Sequence, residues 1–319
     1  MNAISFEGRV AIVTGGGGGI GRCHALELAR RGCAVLVNDL GGDVAGRGGS
    51  GTMADAVVAE IAAAGGRAVA SCDSVASNGG AAAMVAQALS AFGRIDVLIN
   101  NAGIMRNALL EDTTDEDWDA VIATHLTGSF RLTRAVWPQM KAQGYGRIVY
   151  TASSAGLFGM EMVGGYGAAK AGVAGLMNVA SLEGAQHGIL CNAVMPNAVS
   201  RMAMQAAADW ATARPDTEMA LPPAAGNAMN PEFNMPIAVY LASEACTSTQ
   251  ALYSQCVGRF ARVFTGVVPG WQAQRQSPPS VEDIAAHWHE ISDTDSGFAM
   301  PKTATEELGL VLSQGRGWE

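Results

Sequence analysis

Short apolar runs alternate with stretches of helical spacing along most of the chain. Arg9-Val10-Ala11-Ile12-Val13-Thr14 is a β-rich run that breaks into five consecutive glycines, Gly15 to Gly19. From Ile20 to Arg31 the apolar residues Ile20, Leu26 and Leu28 recur at helical spacing, so a strand, a glycine turn and a helix follow one another. Cys33–Asn38 is a second apolar strand closing on Asp39, and Ala68–Cys72, Ile95–Ile99, Arg147–Thr151 and Leu190–Met195 read as further strands. These strands are apolar throughout rather than at every second residue, the pattern of a parallel sheet covered on both faces. The predicted fold class is α/β, a doubly wound parallel sheet with helices on both faces.

Three segments interrupt the alternation. Gly41 to Gly51 holds six glycines in eleven residues and reads as a mobile surface loop. From about Trp210 to Pro236 the pattern loosens into Ala, Met and Pro, including Leu221-Pro222-Pro223, which places a substrate lid at about 200–236. After Trp271 the chain turns polar, and Ser277-Pro278-Pro279-Ser280 caps an expected helix from Val281 to Ile291. The organisation predicted is one dinucleotide-binding catalytic domain over 1–270, with a C-terminal extension over 271–319 packed on it.

Composition narrows the classes. With 49% hydrophobic and 15% charged residues the chain has material for a sizeable core. Twenty Lys+Arg against 29 Asp+Glu give a charge of −9, which repels nucleic-acid backbones and anionic lipid surfaces. Six scattered cysteines without a C-x-x-C pair indicate a reducing compartment and no zinc site. The first residues lack the basic and apolar segments of a signal peptide, the last lack a peroxisomal address, and no apolar run approaches a membrane span. A soluble, cytoplasmic protein is expected.

The first candidate chemistry is phosphate binding. A glycine turn between strand and helix lets backbone approach a pyrophosphate, and the first N–H groups of the helix favour its charge. With five glycines in a row the G-x-G-x-x-G pattern is met almost for free, so its position after the first strand carries the weight. Asp39 ends the second strand, where a carboxylate accepts hydrogen bonds from the adenosine ribose and repels a 2′-phosphate. That predicts NAD over NADP. A solvated strand-end aspartate is the plain alternative, and Arg47 in the glycine-rich loop leaves room for NADP.

The second is proton transfer. Tyr166-Gly167-Ala168-Ala169-Lys170 places a phenol and an ammonium on one helix face. Five tyrosines and three lysines in 319 residues would give this spacing by chance only about 0.05 times. A neighbouring ammonium and a cationic nicotinamide together favour tyrosinate and move the phenol towards a working range, with lysine as the electrostatic tuner. Ser153, just past a strand, is placed to bond a substrate oxygen, with Ser154 its neighbour and competitor. Met195, Met202, Met204, Met219, Met229 and Met235 cluster around the lid, suiting either a large apolar substrate or ordinary core filling. His287-x-His289 with Glu290 reads as part of a polar helix, because residues two apart diverge on a helix; no metal site is assigned.

Thr14-Gly15-x-x-x-Gly19-Ile20-Gly21, Asn100-Asn101-Ala102-Gly103 and Ser153…Tyr166-x-x-x-Lys170, in this order, resemble the short-chain dehydrogenase/reductase family. The resemblance sharpens at Asn38 to Asp43, His125 to Phe130 and Pro196 to Met202 towards the branch holding the (3R)-hydroxyacyl-CoA dehydrogenase part of peroxisomal multifunctional enzymes and bacterial 17β-hydroxysteroid dehydrogenases. It implies a Rossmann-type fold, Ser153, Tyr166 and Lys170 as catalytic groups, and a cofactor site lined by Gly15, Gly19, Ile20, Gly21, Asp39, Asn101 and Lys170. It further implies Asp73, Ser74 and Val75 at the adenine and the backbone of Val199 and Ser200 at the nicotinamide.

Two departures stand out: the wider family usually has Asn where this chain has His125, and Gly where it has Asn197. The usual asparagine helps hold a water that relays protons, so His125 either relays through a ring nitrogen or its backbone or is a packed structural histidine. The resemblance also implies a homodimer or homotetramer built on helices from Asp115 to Met140 and Tyr166 to Ala185. The activity expected is NAD-dependent interconversion of a secondary alcohol and a ketone on a large apolar small molecule. A hydroxysteroid is slightly favoured by the Met-rich lid, with a (3R)-hydroxyacyl-CoA as the alternative and an idle NAD-binding sensor as a different class.

Overall fold

The apolar runs form strands β1 (Val10–Thr14), β2 (Ala34–Asn38), β3 (Arg67–Ser71), β4 (Val97–Asn100), β5 (Gly146–Thr151) and β6 (Ile189–Pro196), within two residues of the expected limits. Two more strands, β7 (Ala251–Cys256) and β8 (Arg259–Val263), were not legible. Their polar Ser254 and Gln255 and exposed Arg259 and Phe260 break any apolar run. Val257 and Gly258 join them with φ of 49° and 75°, the left-handed pair of a two-residue hairpin turn. All eight strands belong to one sheet, ordered β3-β2-β1-β4-β5-β6-β7-β8, in a computed structural model that describes residues 3–215, 227–274 and 276–313.

Pairing is parallel from β3 to β7. In one row Val37, Val13, Ile99 and Val149 lie side by side across four strands. That row is buried under α1 (Gly19–Arg30), α2 (Thr52–Ala63) and α9 (Met235–Leu241), through Ala25 and Leu28, Val57 and Ile61, and Ala238 and Val239. Leu36, Ile12, Leu98 and Ile148 form the alternate row, facing the other side as the two-residue strand period requires. α3 (Gly80–Phe92), α5 (Gly128–Gln143) and α7 (Gly164–Gly184) cover that side. The strand order reverses direction between β1 and β4, which opens a crevice at the carboxyl ends of the strands.

Three local outcomes bear on the site. The helical pattern after Asp115 is α4 (Asp115–Ile122) continued into α5 through one π turn, Ala123–Thr127, which carries His125. The Gly41–Gly51 loop is not the loose segment its glycines suggested. Ser50 N–H bonds Leu40 O, Arg47 N–H bonds Asp43, Met105 N–H reaches Val44 O and Arg106 Nε reaches Ala45 O. These tie the loop to itself and to the segment after β4. The expected lid contains α8 (Arg201–Ala213), which runs through Trp210; Met219 and Leu221-Pro222-Pro223 lie outside the described residues.

The chain divides into two compact units, Met1–Arg262 and Val263–Glu319. In the second, Ser280 and Asp283 form a reciprocal cap on α10 (Val281–Ala286). The expected Val281–Ile291 helix is broken at His287, whose ring stacks on Trp271 at 4.1 Å and whose Nδ1 meets Asp283 O, so α11 (Trp288–Ile291) is a separate turn. α12 (Ala304–Ser313) follows. Among the described residues no three metal-ligating side chains cluster and no helix is long and apolar enough to cross a membrane.

At the sheet end opposite the crevice, Asp96 is fully buried and accepts from Val10 N–H, Arg9 and Arg94 at 2.6–3.0 Å. The guanidinium groups of Arg9 and Arg147 lie over the Tyr145 ring, 3.9 and 4.3 Å from its centroid. Removing the carboxylate leaves Arg94 and a strand N–H without this buried acceptor and leaves Arg9 to Glu244. We expect Asp96→Ala to lower unfolding free energy by about 3 kcal/mol, read from urea titration; a loss below about 1 kcal/mol would show that the cluster is not what joins β1 to β4.

Candidate active site

The crevice gathers the carboxyl ends of β1 to β6. Thr14, the last residue of β1, donates its hydroxyl to Ile99 O and accepts from the N–H groups of Asn101 and Ala102. Asn101 Nδ2 donates to Thr14 O and Gly15 O at 3.0 and 3.2 Å. The expected cofactor-lining asparagine therefore works as a brace, fastening the end of β4 to the glycine turn. A Cβ on Gly21 would sit 2.1 Å from Gly15 O, so only glycine lets the first turn of α1 close on the strand. Gly19 and Ile20 open that helix; its N-cap Gly18 offers no side chain to the free N–H groups, which leaves them for an anion.

Asp39 lies on the lip of this turn, its two carboxylate oxygens accepting Gly17 N–H at 2.9 Å and Gly41 N–H at 2.8 Å. Asn38 Nδ2 bonds Asp73 O at 2.8 Å, and Ser71 Oγ bonds the Asp73 carboxylate. Ser74 Oγ accepts Ala76 N–H, and Val75 is buried against Gly128. Glycine turn, Asp39 and the Asp73–Val75 segment thus border one trough. The residues fit a dinucleotide: a cradle that Cβ atoms would fill, an uncapped helix start, and a fixed carboxylate where a ribose would lie.

Further along the edge, Ser153 caps α6 (Ser154–Phe158), accepting Ala155 N–H, and its hydroxyl also hydrogen-bonds Tyr166 on α7. Ser154, the competing neighbour, is a helix residue instead. Lys170, one turn beyond Tyr166, is only 4% exposed; its Nζ donates to Thr151 O at 2.5 Å and lies 5.5 Å from the Tyr166 ring centroid. Burial pulls the Lys170 ammonium down to about 7. Burial pushes the Tyr166 phenol up, against a smaller downward pull from Ser153. In the free protein desolvation is the larger influence on the phenol, which holds its proton at neutral pH.

His125 is buried, with its ring edge-on to Tyr166 at 5.1 Å. Its Nε2 lies 2.7 Å from Ile104 O and 3.1 Å from Ile104 N; the shorter contact, to the carbonyl, favours the proton on Nε2, which leaves Nδ1 as an acceptor. Nδ1 is buried without a hydrogen-bond partner among the described residues. The backbone carbonyl of His125 accepts Ser129 Oγ at 2.6 Å. A Cβ on Gly103 would fall 2.3 Å from the imidazole, so Gly103 is what admits the ring. Desolvation, then the Lys170 charge, drives the His125 pKa to about 3, which keeps the imidazole neutral.

Val199 is exposed, with its N–H on Met229 O, and Ser200 caps α8 through Ala203 N–H. Sequence reasoning missed buried Asn234, whose amide accepts Asn197 N–H and donates to Asn197 O, setting the turn after β6. It also missed the roles of Thr14, Thr151 and Ile104. Thr14 alone carried a signal, as the strand-ending threonine before the glycines.

A family model described as short chain dehydrogenase matches residues 9–211. Peroxisomal multifunctional enzyme type 2 of Mus musculus is 41% identical over 314 residues, covering 97% of this chain and 40% of that protein. A hydroxyacyl-CoA dehydrogenase of Mycobacterium tuberculosis is 36% identical over 291 residues, covering 88% of this chain and 83% of that protein. The solved full-length peroxisomal multifunctional enzyme type 2 of Drosophila melanogaster superposes with a TM-score of 0.78 at 32% identity, over 97% of this chain and 49% of that one. The chain thus spans less than half the length of the two multifunctional enzymes.

Two buried histidines make a pH prediction. Burial lowers His24 to about 4, and His125 to about 3 with help from Lys170. An unfolded imidazole titrates near 6.5, so below that pH the unfolded state binds more protons and stability falls, by up to about 1.4 kcal/mol per histidine per pH unit. Urea midpoints should drop between pH 6.5 and 5.0, above the carboxylate range, and a His24→Gln/His125→Gln variant should flatten the drop. A variant with the wild-type slope would contradict neutral burial.

Proposed function

The chain belongs to the short-chain dehydrogenase family, and from that premise we propose that it oxidises the secondary hydroxyl of a hydroxyacyl-CoA to the ketone with NAD. The observation that carries the reaction type is the convergence of Ser153, Tyr166 and Lys170 beside a trough suited to a dinucleotide. The substrate class rests on relatives named for hydroxyacyl-CoA dehydrogenation and peroxisomal multifunctional activity. The lean towards a hydroxysteroid drew on the Met-rich lid. Met195 and Met229 are instead buried and Met235 packs against the core, which leaves Met202 and Met204 on α8.

Each residue has a task in this reading. Ser153 Oγ donates to the substrate oxygen, and ionised Tyr166 takes the hydroxyl proton as the carbinol carbon loses hydride. Bound NAD supplies the hydride acceptor and a cationic ring near the phenol. Lys170 holds the end of β5 through Thr151 O and places positive charge under Tyr166. His125 supports the Tyr166 ring from the side and offers Nδ1 as an acceptor for a proton relay. Asp39, fixed by two backbone N–H groups, favours NAD by repelling a 2′-phosphate. A homo-oligomer is supported by apolar side chains left exposed on α4, α5 and α7: Trp118, Phe130, Val179 and Leu182.

NADH formation with purified protein tests the substrate. A medium-chain (3R)-hydroxyacyl-CoA should exceed a 17β-hydroxysteroid in kcat/KM at least tenfold, about 1.4 kcal/mol of discrimination; the reverse preference would return the steroid. Tyr166→Phe should lower kcat about 10²–10⁴-fold while NADH still binds. Full turnover in that variant would remove the phenol from the mechanism. Asp39→Asn should narrow the ratio of NAD to NADP kcat/KM about tenfold or more, an electrostatic change of about 1.4 kcal/mol, and an unchanged ratio would mean Asp39 does not set cofactor choice.

A further inference from the structure

α8 begins at the cap residue Ser200, and its first residue, Arg201, extends back across the crevice. Its Nη2 lies 3.8 Å from Met53 Sδ and 3.7 Å from where a Cβ on Gly18 would be. Gly18 is the N-cap of α1. Neighbouring arginines are neutralised: Arg22 pairs with Glu60, Arg106 with Asp117 and Arg214 with Glu161. Arg201 has no carboxylate within 4.0 Å among the described residues. A guanidinium facing the positive end of a helix is a repulsive arrangement until an anion lies between them.

No residue of α8 is buried. At its far end the helix meets the crevice rim by hydrogen bonding, Asn107 Nδ2 to Asp209 at 2.6 Å, and by the Arg214–Glu161 pair at 3.6 Å. At the Arg201 end the guanidinium meets Met53 Sδ, and among the described residues no carboxylate lies within 4.0 Å of it. That end lacks the counter-charge that the other end has.

We propose that Arg201 is a ligand of the cofactor pyrophosphate and that it fastens the α8 lid helix to the glycine turn when the dinucleotide binds. The diphosphate enters between the α1 N–H groups and the guanidinium, meets positive charge from both, and joins the two elements without an apolar contact. This inference rests on the dinucleotide reading above.

The test uses the full chain, with ADP-ribose and adenosine as calorimetric ligands and NADH read by fluorescence. Arg201→Ala should bind ADP-ribose and NADH about tenfold more weakly, equivalent to about 1.4 kcal/mol, and adenosine within twofold of wild type. Arg201→Lys should recover part of the loss, and added salt should weaken wild-type binding more than that of Arg201→Ala. Unchanged ADP-ribose affinity in Arg201→Ala, with adenosine still bound, would overturn the role of Arg201 and leave the dinucleotide reading intact. A wild-type protein that takes neither ADP-ribose nor NADH would overturn the dinucleotide reading and this inference with it. Should Arg201→Ala fail to fold, Arg201→Gln is compared in the same way, its melting curve serving as the control.

Discussion

The site depends on a lysine ammonium buried at the end of a parallel strand. Lys170 is enclosed beneath Tyr166, with its Nζ donating to Thr151 O. A buried cation of this kind is unfavourable, which is why its pKa falls to about 7. Its helix position is set by α7 packing on β5 and β6, so the sheet enforces what the ammonium alone would resist. The same desolvation raises Tyr166 and suppresses protonation of His125. Three titratable groups share one low-dielectric pocket, and desolvation biases each of them towards its neutral form. A cationic ligand placed against the phenol is the element that completes a base there.

Around that pocket the carboxyl edge of the sheet is braced by short polar side chains. Asn101 and Thr14 lock β4 to the glycine turn, Asn38 locks β2 to the start of the Asp73 segment, and Asn234 locks the turn after β6. These residues satisfy backbone groups where the ladders end, which a buried loop requires. Their effect is to hold the trough on rigid strand ends rather than on free loops. Helix α8 differs in having no buried residue, and the Asn107–Asp209 hydrogen bond and the Arg214–Glu161 pair hold its far end.

Much of this was legible because it is local. The strand-glycine-helix order, Asp39 at the end of β2 and the four-residue step from Tyr166 to Lys170 each follow from the periodicity of one segment. What was not legible depends on which strands become neighbours. The brace formed by Asn101 needs β4 beside β1, and the imidazole of His125 is placed by Ile104 and Gly103, about one helix length away in sequence. Glycine content made Gly41–Gly51 look slack, yet its hydrogen bonds come from Met105 and Arg106, far along the chain. The methionines looked like a lid cluster, while three of them fill or flank the core. The four-residue step shows that Tyr166 and Lys170 are near each other but not how deeply both are buried, and that burial dominates both in the free protein.

The most direct measurement is the ionisation of Tyr166 itself, read as the 295 nm absorbance difference between wild type and Tyr166→Phe across pH, with and without NAD. The account predicts that in the free protein this phenol titrates above its ordinary value of about 10, and that saturating NAD shifts its ionisation to clearly lower pH. A titration near or below the ordinary value without NAD, or one that NAD leaves unmoved, would contradict the claim that burial holds the base in reserve until the cofactor arrives.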